Sequence, residues 1–419
     1  MLLLGFVFAS EHFEVARETS VLAAPDPEAV QVGRLPLGSI ARATERAEGP
    51  GCADWFALDP YGYACLDGAV PTEAAPRSLP DVVRFDAPEP DEYFAYTETG
   101  EYERSTEEAL TPYVYGRRFK TWKAPIYASA EAYAAGEAPQ SRLRGRKFAF
   151  VEVVSTEAGD VLRREDGSVV PIDEVYLYPI SRLEGRDLEH APLDEGWTVG
   201  WAVNFESTPV YDGVRGTRIE ELDYHTPLDL RPAGGDWFEL SSGGFVRAAD
   251  IRWYVDAPAP QGVGDEQIWV DIDRQGQTLA LRRGEQLLLV TLVSTGKGED
   301  HQTPLGLFEV QRKYATADMS GGWGTDEAYY VEEVPWTLFY YGPYALHGAY
   351  WHWGYGRTAS HGCVNLAPKD AERIYQELDP VMPRGWDFVV ATDDAPGSLV
   401  RVREGADAAV PDRRRSRRD

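Results

Sequence analysis

Three of the seven histidines and one isolated cysteine fall within the 17 positions from His347 to Cys363. They stand in Leu346-His347-Gly348-Ala349-Tyr350-Trp351-His352 and in Ser360-His361-Gly362-Cys363-Val364-Asn365-Leu366. A thiol becomes a strong nucleophile at neutral pH only when a base or a positive field removes its proton, and an imidazole is the usual agent. A glycine beside the nucleophile lets a substrate approach and leaves backbone N–H groups to hold an oxyanion. Acyl transfer through a thioester fits these residues and needs neither a cofactor nor a metal. Two other uses of the same residues stay open at this point. Three histidines and a thiolate suit zinc, although paired-ligand spacing is missing. A cysteine buried among satisfied histidines is ordinary core.

The elements that must position these groups lie in a last block, about 265–392. It opens with Gln267-Ile268-Trp269-Val270-Asp271-Ile272-Asp273, whose apolar–polar alternation suits a half-buried strand. The run Thr278-Leu279-Ala280-Leu281 completes a hairpin, and Leu287 to Val293 forms a longer apolar strand leading into Ser294-Thr295-Gly296-Lys297. Pro368 to Leu378 carries Ala371, Ile374, Tyr375 and Leu378 at helical spacing, so a short helix follows the cysteine. The stretch from Tyr314 to Tyr330, with Met319-Ser320-Gly321-Gly322-Trp323-Gly324, reads as a mobile lid over the site.

Residue order adds a constraint. In papain-like enzymes the catalytic histidine follows the cysteine, whereas here no histidine lies beyond His361, so a base must precede Cys363. The His-Gly pair at 347–348, the Ser-His-Gly-Cys-Val-Asn element at 360–365 and Thr303-Pro304-Leu305-Gly306-Leu307-Phe308 together resemble the YkuD-type L,D-transpeptidase signature. The resemblance covers about 125 residues, near 30% of the chain. It implies a β-sandwich-like catalytic domain in which Cys363 attacks the L,D bond of a peptidoglycan stem tetrapeptide. D-Ala would be released and the acyl group passed to an amine of another stem, to give a 3-3 cross-link, or to water. It further implies His347 as the base, held by a backbone carbonyl near Gly348, with His361, Gly362 and Cys363 shaping the oxyanion hole. Ser360 and Asn365 would support the loop and the substrate. Arg357 would take a stem carboxylate, and Tyr350, Trp351 and His352 would line the cleft.

The rest of the chain is expected to be mostly β, with accessory modules ahead of the catalytic block. Strand-like pieces broken by Gly and Pro mark blocks at 12–75, 110–185 and 195–256. Linkers follow at 76–109 and at Asp256-Ala257-Pro258-Ala259-Pro260-Gln261-Gly262, and the arginine-rich segment 393–419 is expected as a disordered basic tail. The first and third blocks resemble bacterial SH3-like domains, which implies binding to wall glycan. Acidic residues outnumber basic ones by 69 to 41, a charge of −28 that repels phosphate backbones and argues against nucleic-acid partners. Residues 1–11 read as a truncated signal segment. A hairpin could join Cys52 to Cys65, and a disulfide there would imply an oxidising compartment. Periplasm or cell envelope is the expected location. Oligomeric state is left open.

Overall fold

The structure is a computed structural model that describes residues 12–76, 111–118, 124–143, 147–321, 329–407 and 409–414. The candidate signal segment 1–11 and nearly all of the expected linker at 76–109 lie outside the described residues. The chain is built mostly of strands, with two α-helices among the described residues. No helix of the described residues is long and apolar enough to cross a membrane.

The catalytic block is two sheets packed face to face. In the first, Gln286–Ser294 pairs with Thr278–Arg283, which pairs with Ile268–Asp273. Leu399–Arg403 runs parallel to Ile268–Asp273, and Gly306–Glu309 closes the far side. In the second, the end of Gln286–Ser294 pairs with Val364–Leu366, which lies parallel to Tyr344–Gly348. The long hairpin Arg312–Gly321/Tyr329–Tyr341 continues that sheet and ends on Phe388–Val390. Val270, Ile272, Leu281, Phe308, Leu338, Leu346, Val364, Leu366 and Val402 fill the space between, with Ala371 and Ile374 from helix Pro368–Glu377 against them.

Three expectations change here. The catalytic block does not end at 392, and the segment after it is no disordered tail. Leu399–Arg403 is a wholly buried strand, and of residues 393–419 only 408 and 415–419 lie outside the described residues. Ile268–Asp273 is also not half-exposed, because its polar face is as buried as its apolar one. Asp271 accepts hydrogen bonds from Arg401 Nε at 2.6 Å and Arg403 Nε at 2.9 Å, and from Tyr254 Oη at 3.0 Å. Burial alone would push the Asp271 carboxyl up, but the two guanidiniums hold it below its ordinary value. The stretch Asp256–Gly262 is fixed rather than loose, since Arg282 and Arg401 donate to the carbonyls of Ala257 and Pro258.

The accessory blocks pack directly on this sandwich. Gln31–Leu35 of the first block extends the second sheet by pairing with Phe388–Val390, and Arg34 grips Asp387 with two bonds of 2.9 and 2.7 Å. Cys52 and Cys65 are joined in a disulfide, Cys65 lying on the hairpin strand paired with Trp55–Leu58. The block at 195–256 is a seven-stranded antiparallel sheet. Its Trp201 and Val199 pack with Val290, Leu292 and Tyr355 of the catalytic block. The block at 110–185 forms small sheets around Phe148, Phe150 and Leu162, and its Tyr113, Tyr115 and Ala149 pack on Val331 and Val334 of the long hairpin.

Candidate active site

The nucleophile loop is shaped by backbone bonds that the sequence motifs supply. Ala359 and Ser360 N–H donate to Thr295 O, and Lys297 N–H donates to Ser360 O, so the Ser294–Lys297 strand end braces the loop. Thr303 is fully buried; its hydroxyl accepts from Gly296 N–H at 2.9 Å and donates to Gly362 O at 2.9 Å. Gly296 is required because a Cβ there would fall 1.7 Å from His301 O. Gly362 sits at φ +119°, and a Cβ would meet the Tyr344 ring at 2.5 Å. Ser360 Oγ closes the turn, accepting from Gly362 N–H at 3.0 Å and donating to Cys363 O at 2.5 Å.

Cys363 leaves this turn at the start of Val364–Leu366. The parallel register places Val364 beside Leu346 and Asn365 beside His347, so Cys363 and His347 belong to one face of the sheet. His347 is buried, and its Nδ1 lies 3.1 Å from Gly348 O. A carbonyl can only accept, so Nδ1 carries the proton and Nε2 keeps the lone pair. Burial, then the Lys147 ammonium, pull His347 down to about 4 against the Gly348 carbonyl, which raises it. Burial pushes the Cys363 thiol up to about 11, partly offset by the backbone of Ala345. The resting pair is therefore thiol and neutral imidazole, not an ion pair.

Around this pair the other expected residues separate into two groups. Trp351 packs beside the base, its ring centroid 5.6 Å from that of His347. His352 is held by Asn365, with Nε2 2.9 Å from Asn365 Nδ2. Exposed His361 packs against Tyr329 at 5.0 Å and His301 at 4.6 Å between ring centroids. The remaining side chains have these partners, with Ser360 giving the loop support expected of it. Ser360 is buried and its hydroxyl is taken up within the turn; Asn365 is buried and serves His352. Arg357 is engaged by the block at 195–256, donating to Val203 O at 2.7 Å and lying over Phe205 at 4.2 Å. Tyr350 is core, stacked on Tyr115 at 3.6 Å with its hydroxyl donating to Glu332 O. Gly362 N–H already bonds Ser360, so it is not an oxyanion donor in this state.

The expected lid from Tyr314 to Tyr330 is strand on both sides of residues 322–328, which lie outside the described residues. Just beyond it, the returning strand is held by the 110–185 block: Tyr115 Oη donates to Glu333 O at 2.5 Å and Ala149 N–H to Glu332 Oε2 at 3.2 Å. Sequence reasoning missed Tyr329, Tyr344 and Lys147 at the site. Lys147 could not be found from the motif, since it arrives from another block.

No curated protein matches the chain. Among solved structures, similar chains include an L,D-transpeptidase from Stackebrandtia nassauensis at 21% identity, covering 35% of this chain and 60% of that one, with TM-score 0.24. The catalytic domain of an E. faecium L,D-transpeptidase is 21% identical, covering 33% of this chain and 98% of that one, with TM-score 0.26. An L,D-transpeptidase from Mycobacterium smegmatis is 16% identical, covering 58% and 90%, with TM-score 0.27. The chain thus spans about 60% of the length of the first of these. Residues 265–402 match the family model described as the YkuD L,D-transpeptidase catalytic domain. Residues 265–402, from the strand opening at Ile268 into the buried strand that starts at Leu399, are an L,D-transpeptidase catalytic domain of the YkuD family.

Proposed function

We propose that this protein is a cysteine-dependent peptidoglycan L,D-transpeptidase that forms 3-3 cross-links. The observation that carries the reading is the parallel pairing of Tyr344–Gly348 with Val364–Leu366, which puts His347 and Cys363 on one face with the imidazole tautomer fixed. Cys363 Sγ attacks the carbonyl that precedes the terminal D-residue of a stem tetrapeptide. His347 Nε2 takes the thiol proton as the S–C bond forms, and the oxyanion is held by the backbone N–H of Cys363. The same imidazolium then protonates the departing nitrogen, so D-Ala leaves and a thioester remains. An amine of a second stem attacks the thioester, its proton passing to His347, and the thiol is regenerated.

The neutral resting pair supports this cycle, because proton transfer is needed only when a carbonyl is present to receive the sulfur. The Cys52–Cys65 disulfide supports an exported protein acting at the cell envelope. Binding of wall glycan by the accessory blocks belongs to the same proposal.

Incubating the full chain with purified tetrapeptide muropeptides tests it. Cross-linked dimers and released D-Ala are expected. Tripeptides without dimers would make water the acceptor and the protein an L,D-carboxypeptidase. Unchanged turnover in Cys363→Ala would overturn the enzymatic reading and leave a wall-binding protein.

A further inference from the structure

Phe205, on the block at 195–256, and Trp353, on the loop that carries His352, are aromatic side chains left exposed, at 48% and 42%. Their rings meet edge to face at 5.3 Å, and both pack on the half-buried Tyr224, at 4.6 and 5.5 Å. Tyr224 is itself fixed, its hydroxyl donating to Tyr355 O at 3.0 Å. The exposed guanidinium of Arg357 lies over Phe205 at 4.2 Å and donates one bond, to Val203 O. Arg252, close enough to Arg357 to be lowered by it, donates to the carbonyls of Ile251 and Gly356. Among the described residues neither arginine pairs with a carboxylate, in a chain with 69 acidic residues against 41 basic ones.

Large rings left contiguous at the surface mark a place that another molecule covers. A pyranose suits this one. Its axial C–H bonds form an apolar face that packs on the electron-rich face of an aromatic ring, and its hydroxyl and acetamido oxygens accept from a guanidinium. Charge narrows the choice further. A chain at −28 repels phosphate polymers and a second copy of itself, whereas the N-acetylhexosamine backbone of wall glycan is neutral. Position agrees with this, because Trp353 follows His352, whose Nε2 lies 2.9 Å from Asn365 Nδ2, just past Cys363. In a tetrapeptide stem the carbonyl that Cys363 attacks lies three residues from the sugar, roughly 10 Å when extended.

We propose that Phe205, Tyr224 and Trp353, with Arg357, form a platform that binds an N-acetylhexosamine ring of the peptidoglycan glycan strand. The inference rests on the L,D-transpeptidase reading above and assigns its glycan binding to one surface. That surface is shared: Phe205 and Tyr224 come from the block at 195–256, Trp353 and Arg357 from the catalytic domain. The strand is therefore held across the junction of the two, with its stem peptides beside the nucleophile loop, and a stem attached to glycan is a better substrate than the same peptide free.

The test is calorimetric titration of the full-length protein with stem-free wall glycan, a chain of alternating N-acetylglucosamine and N-acetylmuramic acid. Alongside it, D-Ala release is followed from a free tetrapeptide and from the same peptide on its disaccharide. The wild type should bind the glycan and keep most of that binding at about 0.5 M salt, where exposed ionic contacts are screened. Phe205→Ala and Trp353→Ala should each weaken binding by about tenfold or more, and Phe205→Tyr should restore most of it. The wild type should favour the disaccharide peptide by about tenfold in kcat/KM, and Phe205→Ala should bring that ratio towards one through a raised KM for the disaccharide peptide. Circular dichroism checks that each variant is folded. Glycan binding retained in both alanine variants overturns the assignment, as does binding that salt abolishes, or none by the folded wild type. An equal loss on both peptides overturns it too. So does a wild-type dimer in sedimentation that Phe205→Ala dissociates, which would give the patch to a second copy. If the glycan binds through these rings but the folded wild type releases no D-Ala from either peptide, the platform stands and the transpeptidase reading fails.

Discussion

A cysteine whose thiol stands at about 11 beside a histidine at about 4 should react very differently from one held as a thiolate–imidazolium pair. At pH 7 such a thiol is ionised in roughly one molecule in ten thousand. Alkylation by iodoacetamide, which reports thiolate, should then rise about tenfold per pH unit from pH 6 to 9, a gain on the order of a thousandfold with no plateau. The measurement is clean because the chain has three cysteines and the other two are bonded to each other. Mass spectrometry of the labelled peptide gives the rate directly. His347→Ala should leave the slope unchanged, since the resting imidazole does not ionise the thiol, yet it should abolish D-Ala release. A labelling plateau below pH 7 that disappears in His347→Ala would refute the neutral-pair argument and show a preformed ion pair.

Four further outcomes follow from the same geometry. The acid limb of kcat/KM should fall near pH 4, where His347 takes a proton, rather than at the ordinary imidazole value near 6.5, as a pH–rate profile will show. Thr303→Val strips a partner from Gly296 N–H and Gly362 O, so kcat should drop at least tenfold and urea unfolding should register a loss of about 2–4 kcal/mol. Gly362→Ala places a methyl against Tyr344 at positive φ; turnover should fall by about 100-fold, with a strain of about 1–3 kcal/mol visible in thermal unfolding. Asp271→Asn leaves Arg401 buried without its counter-charge and Arg403 with only the longer pairing to Asp273, for a loss of about 3–5 kcal/mol in denaturant titration. The Asp271 carboxyl is held below its unfolded value near 3.9, so the stability it contributes is full above that pH and is lost as pH falls further, through its lower folded value.

The parts of the site that were legible in the sequence are those whose partners lie close along the chain or in a recurrent motif. Cys363, Gly362 and Ser360 form one turn, Thr303 reaches it through its hydroxyl and Gly296 bonds that hydroxyl, so residue type and spacing were enough. The helix was legible because Ala371, Ile374 and Tyr375 all face the core. What could not be read depends on partners far along the chain. Leu399–Arg403 looks like the start of a charged tail until Asp271, 130 residues earlier, is seen to receive Arg401. Arg357, Tyr350 and Asn365 were given to substrate because polar and aromatic residues near a nucleophile usually face it. Their actual partners are Val203, Tyr115 and His352, two of which belong to other blocks.

The long hairpin of residues 312–321 and 329–341 shows what the 110–185 block does. Gly321 ends a strand of ten residues, and the returning strand runs thirteen, so the hairpin is long and needs support along its length. Glu333, on the returning strand, has φ +48°, a strained value for a residue with a side chain. It is held there by Tyr115 Oη on its carbonyl and by Asp318 Oδ1, which accepts from its N–H at 3.0 Å. Burial, against a bond from Thr316, pushes its carboxyl up to about 7, a condition that persists only where the packing is fixed. The adjacent Glu332 is engaged by Ala149 N–H and, at 3.7 Å, by Arg164. The 110–185 block thus holds the same strand that carries Tyr329 to His361 and Val331 to Lys147. A catalytic domain cut free at residue 265 would keep its nucleophile loop and this strand while losing the contacts that Tyr115, Ala149 and Arg164 make with it.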